Sequence, residues 1–390
     1  MKPFDIVCKE IDLYPQSLFF KRPDLTKLSL AITTDCTNTC AHCANATQKK
    51  ATLSFETITR LLLEGRLNKV KQIILWGGEP FLHKEIFVII KTVLQLGFNL
   101  NIITNGFWGK TYADAEKVIE TIYKDTANRR VSVVLSCDMF HQCNPATPLE
   151  KIAHIISVYL NKYHDSNTLK ITIKYTAIPQ DTTLQKLCTI LYKSFPEDII
   201  NEFMQQHVRG HALDCSVGRA QQLTIPLTET TMAQKMHLAF QETFIDKFHL
   251  FISAQGTACV QQNTVGEELL SFGNIYTQSL SNICNDIAHN KCALFLCSNP
   301  FQHFLLPFRK YINLSGLLLK THTYRELLVC LYKVENCDFD KREELESARR
   351  ILTNANATQL DYAQAKETIY LYGDITDVFT YNLNEKDFKL

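Results

Sequence analysis

Three cysteines, Cys36, Cys40 and Cys43, stand in the run CTNTCAHC. With 14 cysteines among 390 residues, chance supplies about 0.02 matches to the spacing C-x3-C-x2-C. Three thiolates on one short loop can share a soft metal centre, and cysteine is the usual ligand of iron–sulfur clusters. A trio leaves one coordination position open to a small molecule, as three-ligand zinc sites leave one open to water. A second run, GGEP over Gly77–Pro80, sets two residues without Cβ beside a carboxylate. Taken alone it reads as an ordinary turn; its place after the second strand-like run sets it apart.

The elements that must position these residues alternate along the first 225 positions. Strand-like LSLAITTD (28–35), VKQIILWG (70–77), FNLNIITNG (98–106), RVSVVLSCD (130–138) and LKITIKYTAI (169–178) are separated by helix-like runs at 54–65, 84–97, 112–124 and 148–163. A further helix near 182–195 precedes a sixth strand expected at INEFMQQHV (200–208). Val- and Ile-rich strands alternating with such helices read as βαβ units of a parallel sheet. The expected fold is α/β, a partial (β/α)6 TIM-like barrel two units short of closure, with a C-terminal α+β extension. Chemistry in such sheets sits at the carboxyl ends of the strands. Asp35, Glu79, Thr104, Asn105, Ser136 and Asp138 fall there.

Net charge is +1, from 41 basic and 40 acidic residues. That balance supplies no field for nucleic acid or an anionic membrane, so neither is an expected partner. No apolar run has signal-peptide character or the roughly 18 residues of a membrane span. The expected location is cytoplasmic, where thiols stay reduced and clustered cysteines point to metal chemistry.

CTNTCAHC after the first strand and GGEP after the second resemble the radical S-adenosylmethionine (SAM) superfamily. ITNG (103–106) and SCD (136–138) support the resemblance. It implies one [4Fe–4S] cluster on Cys36, Cys40 and Cys43 and a SAM bound at its open iron. It also implies His42 near the adenine, Gly77, Gly78 and Glu79 on the methionyl amino group, and Ser136 and Asp138 toward the ribose or methionyl carboxylate. Thr104 and Asn105 would line the same pocket. The implied activity is reductive SAM cleavage to a 5′-deoxyadenosyl radical, which takes a hydrogen atom from substrate, with an electron donor such as flavodoxin or ferredoxin. Lys174, on the polar face of the fifth strand, and Arg219 in VGRA are further candidates for SAM or substrate.

Residues 1–27 form an N-terminal segment, 28–225 the barrel, and 226–390 an extension, with loop-like LTETTMAQKM (227–236) at the boundary. HLFISAQGTACVQ (249–261) reads as a hairpin turning at Gln255-Gly256. With FGNIYTQSLSNI (272–283) it resembles a SPASM or twitch extension. No C-x2-C pair follows, so the extension reads as degenerate and without an auxiliary cluster. Helices are expected over 299–311, 322–334, 341–353 and 359–371. Cys259, in the first auxiliary-ligand position, could instead donate a hydrogen atom to a substrate radical, as a catalytic thiol. Cys137 reads as core, and His141 as a cap or a substrate group.

The resemblance leaves the substrate open: a ribosomally made peptide, or a sugar or small metabolite for an epimerase or dehydrogenase. The 27 residues before the first strand are too few for an appended leader-peptide domain. A non-enzymatic iron–sulfur or zinc protein, with His42 or His83 as a fourth zinc ligand, is the other class.

Overall fold

The structure is a computed structural model and describes residues 3–13, 24–47, 49–126, 128–178, 180–211, 218–223, 247–260, 271–290 and 341–383. The chain divides into two compact units. One holds residues 24–224 and 248–286, and the other holds 1–23, 225–247 and 287–390.

Helix α1 (Pro3–Leu13) precedes strand β1 (Asp24–Thr33). The order then runs α2 (Phe55–Leu67), β2 (Gln72–Gly77), α3 (Ile86–Gln95), β3 (Asn99–Thr104), α4 (Tyr112–Lys124) and β4 (Val131–Ser136). It continues with α5 (Met139–Gln142), α6 (Leu149–Lys162), β5 (Leu169–Thr176), α7 (Thr183–Leu191), α8 (Glu197–His207) and β6 (Val208–His211). Neighbouring strands from β1 to β6 pair in parallel, in sequence order. This is the partial (β/α)6 barrel. Apolar side chains are buried on one face of these strands: Leu28, Leu30 and Ile32 on β1, Ile73 and Leu75 on β2, Val131, Val133 and Leu135 on β4. The period-two alternation puts the remaining side chains on the other face.

The sixth strand differs from the expectation. Residues 197–207, covering most of INEFMQQHV, are helical, and the strand is only Val208–His211. Ile200, Phe203 and His207 bury one helical face at a three-to-four residue period. Pro196 stands at the N-cap, and Glu197 and Asp198 in the first turn favour the helix start through its dipole.

Strands β7 (Lys247–Ile252), β8 (Thr257–Cys259) and β9 (Ser271–Asn274) extend the sheet beyond β1, giving nine strands in the order β6-β5-β4-β3-β2-β1-β7-β8-β9. β7 and β8 form the expected antiparallel hairpin. Gly256 takes φ +86° at its turn, and a Cβ there would sit 2.6 Å from the Tyr276 ring. Helix α9 (Leu280–His289) follows β9. α2 holds this segment: Arg60 Nη2 donates to the Ile275 carbonyl at 2.7 Å, and Glu64 accepts the Leu280 N–H at 2.5 Å.

In the other unit, α10 (Arg342–Thr353), α11 (Gln359–Tyr372) and α12 (Ile375–Thr380) cover two of the expected C-terminal helices. Arg349 forks onto Asp377 at 2.9 and 2.7 Å. The helices expected at 299–311 and 322–334, the loop at 227–236, and Cys292, Cys297, Cys330 and Cys337 lie outside the described residues. Among the described residues, no helix is long and apolar enough to cross a membrane.

Candidate metal centre

The loop after β1 carries Cys36, Cys40 and Cys43, and the segment after β4 holds it. Asn144 Oδ1 accepts the Thr39 N–H at 2.8 Å. Asn38 Nδ2 donates to Thr147 Oγ1 at 2.9 Å, and that hydroxyl donates to the His141 carbonyl at 2.9 Å. The Arg219 N–H donates to the Cys43 carbonyl at 3.1 Å, so the turn after β6 closes on the last cysteine.

Three amide nitrogens face sulfur. The Asn38 N–H lies 3.4 Å from Cys36 Sγ, Asn105 Nδ2 lies 3.8 Å from the same atom, and Asn144 Nδ2 lies 3.6 Å from Cys40 Sγ. The Cys36 thiol keeps an opening to the surface. Its surroundings still push it up to about 11, through burial first and then the charges of Glu79, Cys40 and Cys43, while the Asn38 N–H pulls the other way.

GGEP packs against the same loop. The Gly78 and Glu79 N–H groups donate to the Thr33 and Asp35 carbonyls, each at 2.7 Å. A Cβ on Gly77, which takes φ +136°, would lie 2.2 Å from the Thr33 oxygen, and one on Gly78 would lie 2.2 Å from the Asp35 oxygen. The close approach that requires glycine here is to the backbone after β1. Glu79 is fully buried. It accepts the Phe81 N–H at 3.1 Å, the Thr104 hydroxyl at 2.8 Å and the Asn105 N–H at 2.7 Å. These take three of its roughly four lone-pair directions. Burial pushes its carboxyl up to about 7 against those hydrogen bonds.

At the end of β4, Asp138 is 1% exposed and gathers five donors. They are the Phe140 and His141 N–H groups at 3.1 Å, His141 Nδ1 at 2.8 Å, and the N–H and hydroxyl of Thr176 at 3.2 and 3.0 Å. Burial pushes Asp138 up, but the His141 hydrogen bond and charge outweigh it and hold the carboxyl well below its usual range. Burial pulls His141 down, and the bonds to Asp138 and Cys40 carry it up to about 10. His42 stacks on Phe140 at 4.6 Å between ring centroids, with Nε2 3.8 Å from Asp138. Burial lowers it to about 4. Arg219 and Lys174 lie near enough to act on its charge. Lys174 stands level with Ser136 on β4 and Arg209 on β6.

The structure brings the three cysteines, His42, Glu79, Asn105, Asp138, Lys174 and Arg219 to one end of the barrel. Cys259 is fully buried among Ala31, Trp76, Ile103 and Phe251, at the hairpin that flanks β1. Cys137 is buried and pushed up by that burial, with Cys188 of α7 among its neighbours. Asn144, Thr147 and His211 were missed. Their signal was position alone, as polar residues just after β4 and at the end of β6. His211 Nε2 lies 3.4 Å from Thr176 Oγ1, and burial, then Lys174, lowers the ring to about 4. Both His83 nitrogens are taken, by the Leu53 carbonyl at 2.9 Å and the Glu85 N–H at 3.1 Å, which removes His83 as a zinc ligand. Ligand atoms of Cys40, His42 and His141 lie within 4.8 Å of one another.

Fold and site together define a partial barrel with a three-thiol loop at the catalytic end of its strands. Residues 30–134 match the Radical SAM superfamily. It is 26% identical over 159 residues to MJ1632 of Methanocaldococcus jannaschii, which bears the provisional name glycyl-radical enzyme activating enzyme. That alignment covers 40% of this chain and 58% of the relative's length. Among solved structures it is similar to Streptococcus suis SuiB bound to precursor peptide SuiA, at 14% identity and TM-score 0.43, covering 67% of this chain and 65% of that one. It is also similar to native anSMEcpe with bound AdoMet and Cp18Cys peptide, at 14% identity and TM-score 0.44, covering 92% and 99%.

The superfamily uses a [4Fe–4S] cluster and SAM, and the residues present fit both. Three thiols with N–H donors aimed at two of them form a cluster donor set. His42 Nδ1 and Arg219 Nε are buried with no protein partner, as polar atoms awaiting a ligand would be.

Proposed function

We propose that this chain is a radical SAM enzyme that acts on a peptide or protein. Cys36, Cys40 and Cys43 would hold the cluster. Glu79 has one lone-pair direction left for the methionyl ammonium. His42 and Arg219, each with an unpaired buried nitrogen, would meet the rest of SAM. Bound together, cluster and SAM supply a carbon radical that removes a hydrogen atom from an unactivated C–H bond. The protein's part is placement and exclusion of water. Glu79, Thr104 and Asn105 lock the ends of β2 and β3 together. Asp138 fixes His141 and the end of β5.

The observation that carries this reading is the donor set: three thiols on one loop, two of them already receiving N–H groups, beside a buried carboxylate. Support for a peptide or protein substrate comes from the name of the M. jannaschii relative. The polar face of β5, where Lys170 is exposed and Thr172 and Lys174 are half-buried, is compatible with such a substrate. The test is anaerobic reconstitution with iron and sulfide, then SAM and dithionite. Release of 5′-deoxyadenosine supports the enzyme, whereas a colourless protein that takes up zinc through Cys40, His42 and His141 contradicts it. A precursor-peptide gene beside this one would direct the choice of substrate.

A further inference from the structure

Two side-chain amides point at two different cluster cysteines, and neighbouring groups fix which end of each amide faces the sulfur. Asn144 is nine-tenths buried. Its Oδ1 is claimed by the Thr39 N–H at 2.8 Å and the Thr39 hydroxyl at 3.3 Å. The NH2 end therefore turns toward the Phe140 carbonyl at 2.9 Å and Cys40 Sγ at 3.6 Å. Asn105, 5% exposed, follows the same logic. Its Oδ1 accepts the Phe107 N–H at 3.0 Å, so Nδ2 faces Thr37 Oγ1 at 2.9 Å and Cys36 Sγ at 3.8 Å. A flip of either amide would set oxygen against sulfur and forfeit the oxygen's own donor. Asn105 follows β3 and Asn144 lies in the segment after β4, so the two amides reach the loop from different parts of the chain.

Hydrogen bonds to cluster sulfurs raise a cluster's reduction potential, because the added electron places more negative charge on the ligands. From this geometry, and resting on the cluster reading above, we propose that Asn105 and Asn144 are positioning residues that set the cluster's reduction potential through N–H···S contacts. One electron from a low-potential donor takes the cluster from its 2+ to its 1+ state. No bond is broken and no proton is moved. The amides stabilise the 1+ state and ease that transfer.

The test is a potentiometric titration of the reconstituted protein, followed by electron paramagnetic resonance, for the wild type, Asn105→Leu, Asn144→Leu and the double variant. Leucine matches asparagine in size, carries no donor and excludes a replacing water. Each single variant is expected to shift the reduction equilibrium about tenfold toward the oxidised form, about 59 mV more negative for one electron. The double variant should shift about a hundredfold, since the contacts end on different cysteines and distant effects add. Iron content should stay at the wild-type level. Variants that load fully and keep the wild-type potential overturn the proposal. If one variant does not assemble a cluster, the other carries the test. Failure of both to assemble, with native circular dichroism, assigns the amides to assembly instead and also overturns it. A wild-type protein that takes up no four-iron cluster defeats the underlying reading and is recognised before any variant is measured.

Discussion

The Asn105 N–H donates to Glu79 Oε2 at 2.7 Å, tying the residue after β3 to the carboxylate after β2. The Thr104 hydroxyl takes the other oxygen at 2.8 Å. GGEP and ITNG are therefore one structural unit. It reaches the cluster loop twice, through the Glu79 N–H on Asp35 and through the Asn105 amide at Cys36.

Burial raises Glu79 to about 7 from an ordinary 4.5. In the native metal-free protein it therefore keeps its proton over a range where the unfolded chain has released it. Stability should fall as pH rises from about 4.5 to about 7, then level off, with a drop on the order of 1–3 kcal/mol. Glu79→Gln should flatten that slope. Denaturant titrations of both proteins at pH 5 and pH 7.5 check it, and an equal slope in the two would contradict it.

Gly78→Ala should be more damaging than an ordinary surface change. Its Cβ would meet the Asp35 carbonyl at 2.2 Å and the Thr34 carbonyl at 2.6 Å, and backbone cannot yield there without moving the cysteine loop. A loss above about 3 kcal/mol is expected, with iron uptake impaired alongside. A melting temperature within about 2 °C of wild type would show that the loop gives way freely.

Asp138→Asn breaks a buried ion pair and turns an NH2 group toward donors that need acceptors. Removing one partner of such a pair costs about 3–5 kcal/mol. The His141 ring, freed from its 2.8 Å contact, should fall from about 10 toward ordinary histidine behaviour. The shift can be followed by proton NMR of the ring.

The barrel was legible because its signals are local. The strands carry covered Val, Ile and Leu on one face, and α4 over Tyr112–Lys124 falls on the expected span, with Thr111 capping its start through the Asp114 N–H. The cysteine loop and GGEP were legible because short spacings survive in a linear string. The strand expected at 200–208 was misplaced onto α8: Ile200, Phe203 and His207 mark a helical face, but the neighbouring apolar Ile199, Met204 and Val208 blur its period. The addition of β7 to β1 and the reach of Asn144 to Cys40 depend on contacts between residues more than 100 positions apart, which no local pattern encodes.

Cys36→Ala, Cys40→Ala and Cys43→Ala should each lower iron content from about four atoms per chain to under about one, and abolish release of 5′-deoxyadenosine. Circular dichroism should be unchanged, because the sulfurs accept hydrogen bonds that the loop's own backbone and Asn144 contacts do not need. A variant retaining full iron would show that its thiol is not a ligand.

The most direct test of the vacant coordination position is the electron paramagnetic resonance spectrum of the dithionite-reduced, reconstituted protein with and without SAM. The account predicts a four-iron signal whose g values move when SAM is added, because SAM docks on the iron that no cysteine holds. A spectrum that SAM leaves unchanged, or the absence of any four-iron signal, would contradict it.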